Sequence, residues 1–308
     1  MSQTPETLLD PSRRRWLQGA GVAVTTVSAA PLMALADPEG AVADTLETLL
    51  QTHYRRMSRT EIQEVLHRIE RRAEREHGVR IRCQDPPPVT GVRFGFAVNL
   101  SKCKGLRHCV TACRQENNVS MQGSGNVRVL AMPPGVRTLE SGEVEYDAHT
   151  PMPPGSWFLP VQCQQCADPA CVRACPVEAT WREPDGIVVI DYDWCIGCRY
   201  CAAACPYWAR RFNWQKPHLS AAHITPETSY LGNRPRPVGV MEKCTWCIQR
   251  TRQGRMPACQ EACPSGARIF GDLLDPGGEL RHILEHKTIF RLKEELHTDP
   301  QTWYFTDV

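Results

Sequence analysis

The sequence predicts an α+β fold whose short strands and helical turns are organised around cysteine clusters. Two observations carry this. Four short runs rich in β-branched and aromatic residues, GVRFGFAVNL, GSWFLPVQC, GIVVIDYDWC and RPVGVMEKC, each lead into a group of cysteines. The groups begin at 103, 163, 195 and 244, a recurrence that reads as an internal repeat. Each group is entered from a strand and left on a helical turn.

Composition agrees with a core built around something other than packed Leu and Phe. The 308 residues include 16 Cys, 21 Gly and 25 Pro, with only 7% aromatics. That is too many cysteines for an ordinary cytosolic domain, in a chain long for a disulfide mini-scaffold. The net charge of +2 creates no strong field, so neither nucleic acid nor a bare anionic surface is indicated as a partner.

Taken in order, residues 1–36 read as a twin-arginine signal peptide. SRRRWLQGAGVAVTTVSAAPLMALA carries Arg13 and Arg14, then Trp16 and Leu17, a moderately apolar run, and an Ala34-Leu35-Ala36 cleavage site. No later apolar stretch approaches the ~18–20 residues of a spanning helix, so the mature chain is expected to hold no membrane span of its own. The expected location is the periplasm, peripheral to the inner membrane through partners.

Residues 37–88 read as a helical N-terminal segment. Leu46, Leu49 and Leu50, then Ile62, Val65, Leu66 and Ile69, give two amphipathic helices joined near Ser58, an N-cap with Glu61 three residues on. PPPVTG at 86–91 marks the boundary. The four-motif domain spans 89–275. Its Pro/Gly-rich connection MPPGVRTLESGEVEYDAHTPMPPGS reads as surface loop. Residues 276–308 read as a short polar tail.

Motif two is Cys163, Cys166, Cys171 and Cys175 followed by Pro176. Motif three is Cys195, Cys198, Cys201 and Cys205 followed by Pro206. Motif four is Cys244, Cys247, Cys259 and Cys263 followed by Pro264. Motif one has Cys103, Cys109 and Cys113, with Leu106 where the C-x2-C-x2-C-x3-C spacing asks for a fourth cysteine. Cys83 is the one left over.

Three thiolates within about seven residues can wrap one face of an iron–sulfur cubane, and the tight loop aims backbone N–H groups at its negative charge. The last cysteine lies a helical turn further on and serves the other cluster of a pair. Zinc ribbons lack the C-x3-C-P ending. Crowded C-x2-C-x2-C runs make poor disulfide geometry, and no C-x-x-C-H haem site is present.

VQCQQCADPACVRACPVEATWREPDGIVVIDYDWCIGCRYCAAACPYWARRFNW and GVMEKCTWCIQRTRQGRMPACQEACPSGARIFGDL resemble the four-cluster ferredoxin subunits of the complex iron–sulfur molybdoenzymes. The resemblance runs from about residue 92 to 275. It implies two pseudo-symmetric ferredoxin-like units, motif two paired with three and motif one with four. It also implies the ligand sets. Cys163, Cys166, Cys171 and Cys205 would hold the first cluster, and Cys195, Cys198, Cys201 and Cys175 the second. Cys244, Cys247, Cys259 and Cys113 would hold the third. Cys103, Cys109 and Cys263 remain for a fourth.

The expected cofactors are therefore three 4Fe-4S clusters and a fourth whose type turns on Leu106. Three thiolates suit a 3Fe-4S cluster, and related subunits tolerate a non-Cys residue at this position. A 4Fe-4S cluster completed by Cys83 is the second reading, with His108 a weaker ligand. An empty site filled by Leu106 is the third.

Arg199, Arg210, Arg211 and Lys243 sit beside the motifs and would raise cluster potentials, or else form a solvated face. Trp194, Trp208 and Trp246 would shield the clusters from water. No paired carboxylates, nucleophile elbow or phosphate loop occurs in a supporting context, so a non-catalytic role in electron transfer is expected. A signal-bearing, anchorless version resembles periplasmic ferredoxins that work beside a polytopic, NrfD-like quinone-interacting subunit. A multihaem cytochrome c or another redox subunit is the expected second partner.

Overall fold

The computed structural model describes residues 58–121, 125–136, 138–143, 146 and 152–307, with the side chain of residue 59 left aside. The signal peptide and the helix expected around Leu46, Leu49 and Leu50 lie outside the described residues.

Helix α1 (Arg59–His77) opens on the expected cap. The Ser58 hydroxyl accepts from the Glu61 N–H, and the Glu61 carboxylate accepts from the Ser58 N–H, closing a capping box. Gly78 ends the helix in the left-handed conformation. Leu66, Ile69 and Ala73 are buried on one face, which packs on β1 (Arg82–Gln84).

The strands are short and grouped in small sheets. β2 (Phe94–Asn99) is followed by α2 (His108–Glu116), and β3 (Arg128–Met132) forms an antiparallel pair with β4 (Trp157–Val161). After α3 (Ala170–Arg173) come β5 (Thr180–Arg182) and β6 (Val188–Ile190), a second antiparallel pair. After α4 (Tyr200–Ala203) come β7 (Arg211–Phe212), β8 (Glu227–Ser229) and β9 (Met241–Glu242). β7 pairs with β9, and β8 runs parallel to β1. The chain then forms α5 (Ile248–Thr251), α6 (Ala258–Glu261) and β10 (Arg268–Asp272), followed by α7 (Glu279–His286), β11 (Ile289–Phe290) and β12 (Thr302–Phe305).

Each cysteine motif thus lies between a strand and a helix: β2 and α2, β4 and α3, β6 and α4, β9 and α5. Helix α2 packs on α6 and α3 on α4, which brings motif one to motif four and motif two to motif three. The result is an α+β fold with the cysteines between its small layers.

The segment 276–308 is not an appendage. β12 lies parallel to β2, with Tyr304 opposite Val98, inside a four-stranded sheet ordered β10-β2-β12-β11. Thr302 and Tyr304 are fully buried. The domain therefore runs past 275, because β2 has a free edge that only the C-terminal strand fills. The connection after β3 is also less superficial than its composition suggests: Leu139 is buried, and Glu143 exchanges backbone hydrogen bonds with Ala131. Among the described residues no helix is long and apolar enough to cross a membrane.

Candidate metal centre

The motif loops turn through left-handed backbone. In motif one Gly105 has φ +70° and Arg107 φ 61°; in motif three Gly197 has φ +72° and Arg199 φ 68°. A Cβ at Gly105 would enter the Phe158 ring, and one at Gly197 would strike the Gly239 carbonyl. Glycine is required at both for conformation and for room. Motifs one and three thus share one loop shape, and Leu106 occupies the position that Cys198 occupies in its counterpart.

The fold gathers the cysteines in four groups. Cys166 faces Cys163, Cys171 and Cys205. Cys175, Cys195, Cys198 and Cys201 line one cavity together with Val177 and Ile196. Cys113 faces Cys244, Cys247 and Cys259, and Cys109 faces Cys103 and Cys263. Among the described residues no three Cys, His, Asp or Glu side chains close on a single-ion site. A cubane spreads its ligands over a wider ring than one ion at Zn–S ≈ 2.3 Å.

Neighbours across groups order them. Cys109 feels the charge of Cys259, Cys244 that of Cys163, and Cys201 that of Cys171. The fourth site therefore adjoins the third, the third adjoins the first, and the first adjoins the second. They form a row.

The environment is dry and rich in thiol. Burial, then Cys163, pushes Cys166 up to about 12; burial, then Cys259, pushes Cys244 up to about 12. Burial also raises Cys109 and Cys201 to about 11 each, and Cys113 and Cys247 are raised further by burial and their neighbouring sulfurs. Cys263 goes the other way. Burial would raise it, but the Ser265 hydroxyl, the Ala267 and Ser265 backbone N–H groups and Arg268 hold it below the usual thiol value. So many thiols gathered in dry surroundings fit a polynuclear metal centre that keeps them as thiolates.

N–H groups reach the sulfurs. Trp246 N–H donates to Cys244 Sγ at 3.4 Å, and Asn117 Nδ2 donates to Cys247 Sγ at 3.3 Å. Trp246 is buried against Phe96 and Phe270, ring centroids 6.1 and 5.6 Å away, and shields the site as expected. Trp208 is 48% exposed and shields little.

The four cations differ. Arg210 is buried beside Cys171 and Cys201. Arg211 is neutralised by Glu242 at 2.8 Å, and Lys243 Nζ donates to the Cys244 carbonyl at 2.6 Å. Arg199 is exposed and lies over Trp214, 4.7 Å from the ring centroid. Sequence reasoning missed Arg268, which is buried beside Cys259 and Cys109. Its signal was there: it stands five residues after Cys263, as Arg210 does after Cys205.

Cys83 does not join the fourth site. It sits in β1 opposite Thr228, and its N–H donates to Glu70 at 2.9 Å. Burial raises its thiol to about 11, and its charged neighbours are Arg234, Glu70 and Asp85. The strand pair with β8 holds it in the core, on the side of α1. His108 is exposed at the start of α2, and Leu106 is 48% exposed, so neither fills the gap.

Residues 155–238 and 232–273 match the 4Fe-4S dicluster domain family. The chain is 38% identical over 240 residues to the menaquinone reductase iron–sulfur cluster-binding subunit of Nitratidesulfovibrio vulgaris, covering 70% of this chain and 89% of that one. The chain belongs to the molybdoenzyme-type iron–sulfur subunit family. Further members of the family align over a similar share of it. The Hdr-like menaquinol oxidoreductase iron–sulfur subunit 1 of Archaeoglobus fulgidus is 37% identical over 235 residues, 69% of this chain and 82% of that one. A subunit of the tetrathionate reductase of Salmonella typhimurium is 34% identical over 214 residues, 69% and 72% respectively. Family members are iron–sulfur subunits of redox complexes, and this chain is an electron-transfer iron–sulfur subunit.

Proposed function

We propose that the protein conducts single electrons along its row of four sites, between a quinone-reactive membrane subunit and a second redox subunit. The observation that carries this is the unbroken sequence of sulfur neighbours, Cys109 to Cys259, Cys244 to Cys163 and Cys171 to Cys201. Iron–sulfur clusters bound there supply one-electron chemistry without proton transfer. The chain's own part is to hold each cluster, keep it dry and set its charge environment.

The ligand assignment follows the four groups: Cys163, Cys166, Cys171 and Cys205; Cys195, Cys198, Cys201 and Cys175; Cys244, Cys247, Cys259 and Cys113; and Cys103, Cys109 and Cys263. The first three take 4Fe-4S clusters. The fourth takes a 3Fe-4S cluster, since the loop around Leu106 keeps the shape of its four-cysteine counterpart.

The protein acts in the periplasm after twin-arginine export, a route that moves folded proteins with cofactors inserted. Its partners are a polytopic NrfD-like quinone-interacting subunit and a multihaem cytochrome c. Within the family, the reading placed first is the DsrO subunit of the DsrMKJOP complex of dissimilatory sulfur metabolism, supported by the leader sequence and charged helical N-terminal segment. The resemblance to quinone and quinol oxidoreductase subunits supports the membrane partner. A second reading, a subunit of a periplasmic molybdoenzyme-type reductase, is favoured by the tetrathionate reductase relative. Co-purification separates them: a multihaem cytochrome supports the first and molybdenum the second.

EPR of anaerobically purified, oxidised protein with an iron count tests the cluster assignment. Oxidised 3Fe-4S is paramagnetic and oxidised 4Fe-4S is silent. About fifteen irons with a near-stoichiometric signal are expected from these ligand sets. Silence with about twelve irons overturns the fourth site.

A further inference from the structure

Motifs three and four end alike. Cys205-Pro206-Tyr207-Trp208-Ala209-Arg210 and Cys263-Pro264-Ser265-Gly266-Ala267-Arg268 both place an arginine five residues past the last cysteine. Motif two ends Cys175-Pro176-Val177-Glu178-Ala179-Thr180, with Thr180 at the same offset. Both arginines are inside the protein, 5% and 3% exposed.

Their surroundings match. Arg268 lies beside Cys259 of the third site and Cys109 of the fourth, and its charge also acts on Cys103 and Cys263. Its Nη2 donates to Gln162 Oε1 at 2.7 Å, and the guanidinium lies 5.0 Å from the Phe96 ring centroid. Arg210 lies beside Cys171 and Cys163 of the first site and Cys201 of the second. Its Nη2 donates to Thr180 Oγ1 at 2.9 Å. In both residues Nε and Nη1 are buried without a hydrogen-bond partner among the described residues. Neither forms an ion pair with a carboxylate of those residues, whereas Arg211, one position further, is paired with Glu242.

A buried cation without a counter-ion is strongly disfavoured unless an anion comes to it. Here the nearest anionic groups are the thiolates of two neighbouring sites. We propose that Arg210 and Arg268 are the internal counter-cations of the row, each holding a buried, carboxylate-free charge beside two adjacent sites and setting both reduction potentials together. Arg268 serves the third and fourth sites, and Arg210 the first and second. Reduction adds one electron and no proton to a site, making it more negative by one charge. A fixed buried cation beside it favours that state.

The inference rests on the iron–sulfur reading of the four sites. Wild-type protein without iron would end that reading, whereas substitutions of the two arginines test their role within a protein that holds its clusters. The experiment is an EPR-monitored potentiometric titration of the purified full chain with an iron count on each sample. In Arg268→Gln, the reduction equilibria of one set of waves should become less favourable by roughly tenfold, equivalent to ~59 mV for a one-electron couple. Arg210→Gln should move the complementary set and leave the first where it was. Arg268→Lys, which keeps the charge, should keep its iron and hold its waves within about threefold of wild type, about half of the logarithmic shift at most. Waves unmoved at full iron content overturn the proposal, as do the same waves moving in both Gln variants. Iron lost alike from Arg268→Gln and Arg268→Lys also overturns it, because that result assigns the residue to packing and not to charge.

Discussion

Asn117 Nδ2 stands 3.3 Å from Cys247 Sγ and 3.6 Å from Cys113 Sγ, so one buried amide serves two sulfurs that reach the third site from different motifs. The same group also donates to the Cys113 carbonyl at 3.1 Å, one helical turn back at the C-cap of α2. The end of α2 is thereby fixed to motif four by a polar group whose donors face thiolate. Asn117→Leu removes the donation while keeping the volume. It should lower the potential of one cluster and cost about 1.5–3 kcal/mol, the range for hydrogen bonds to charged groups. Denaturant titration and a redox titration on the same variant check both, and an unmoved potential would leave Asn117 with a capping role alone.

Cys83 gives a prediction of opposite kind. Its thiol is buried on β1 and raised to about 11 by desolvation, so it stays protonated and unreactive at neutral pH. Alkylation of native protein should spare it, and denaturation should expose it. Because its folded value lies above the ordinary value of 9.0, its contribution to stability is intact below pH 9 and is lost as pH rises through about 11. Cys83→Ala should leave the iron count and EPR unchanged and cost about 0.5–3 kcal/mol. A lost iron in that variant would return Cys83 to the fourth site.

The four cysteine motifs were legible in the sequence because tight spacing leaves a loop few ways to aim its sulfurs, whereas the pairing of the motifs and the full ligand sets came from the family resemblance. Arg268 was legible only as an offset from Cys263 matching that of Arg210 from Cys205; its burial was not. Its burial depends on β10 lying against β2, with Arg268 opposite Val98, a contact between distant parts of the chain. The C-terminal strand escaped for the same reason: TWYF is too short to announce itself, and its partner β2 lies at the other end of the domain. The sequence left Cys83 open between an extra ligand and a buried structural thiol, because proximity to Cys103 along the chain says nothing of the parallel pairing of β1 with β8 that holds it. Local chemistry could be read; long-range pairing could not.

Leu106 supplies a gain-of-ligand test. The loop around it has the conformation of the Cys198 loop, with Gly105 matching Gly197 and Arg107 matching Arg199 in positive φ. Leu106→Cys should therefore add a thiolate without remodelling the backbone. The expected outcome is loss of the oxidised EPR signal and a gain of about one iron per chain. Since Leu106 is half exposed, the exchange should change stability by no more than about 0.5 kcal/mol before the cluster is counted. An unchanged signal and iron count would remove the three-iron assignment.

Arg252 and Asp185 tie motif four to the turn before β6. Arg252 Nε donates to Asp185 Oδ2 at 2.9 Å, and Nη1 donates to the Pro86 carbonyl at 2.8 Å. Both side chains of the ion pair are buried, at 1% and 0% exposure. Removing one partner strands the other charge in the interior, so Arg252→Met should cost about 3–5 kcal/mol. Arg252→Met with Asp185→Asn should recover part of that loss, since the fully buried carboxylate is then neutral and only Glu183, 3.6 Å from Arg252, keeps an unpaired charge. The partners of this pair are oxygens and not sulfurs, so clusters in the folded fraction should keep wild-type potentials. Unfolding curves measured on cluster-loaded protein decide the first point and the redox titration the second; a potential shift in the double variant would mean that this pair reaches the metal centre through α5.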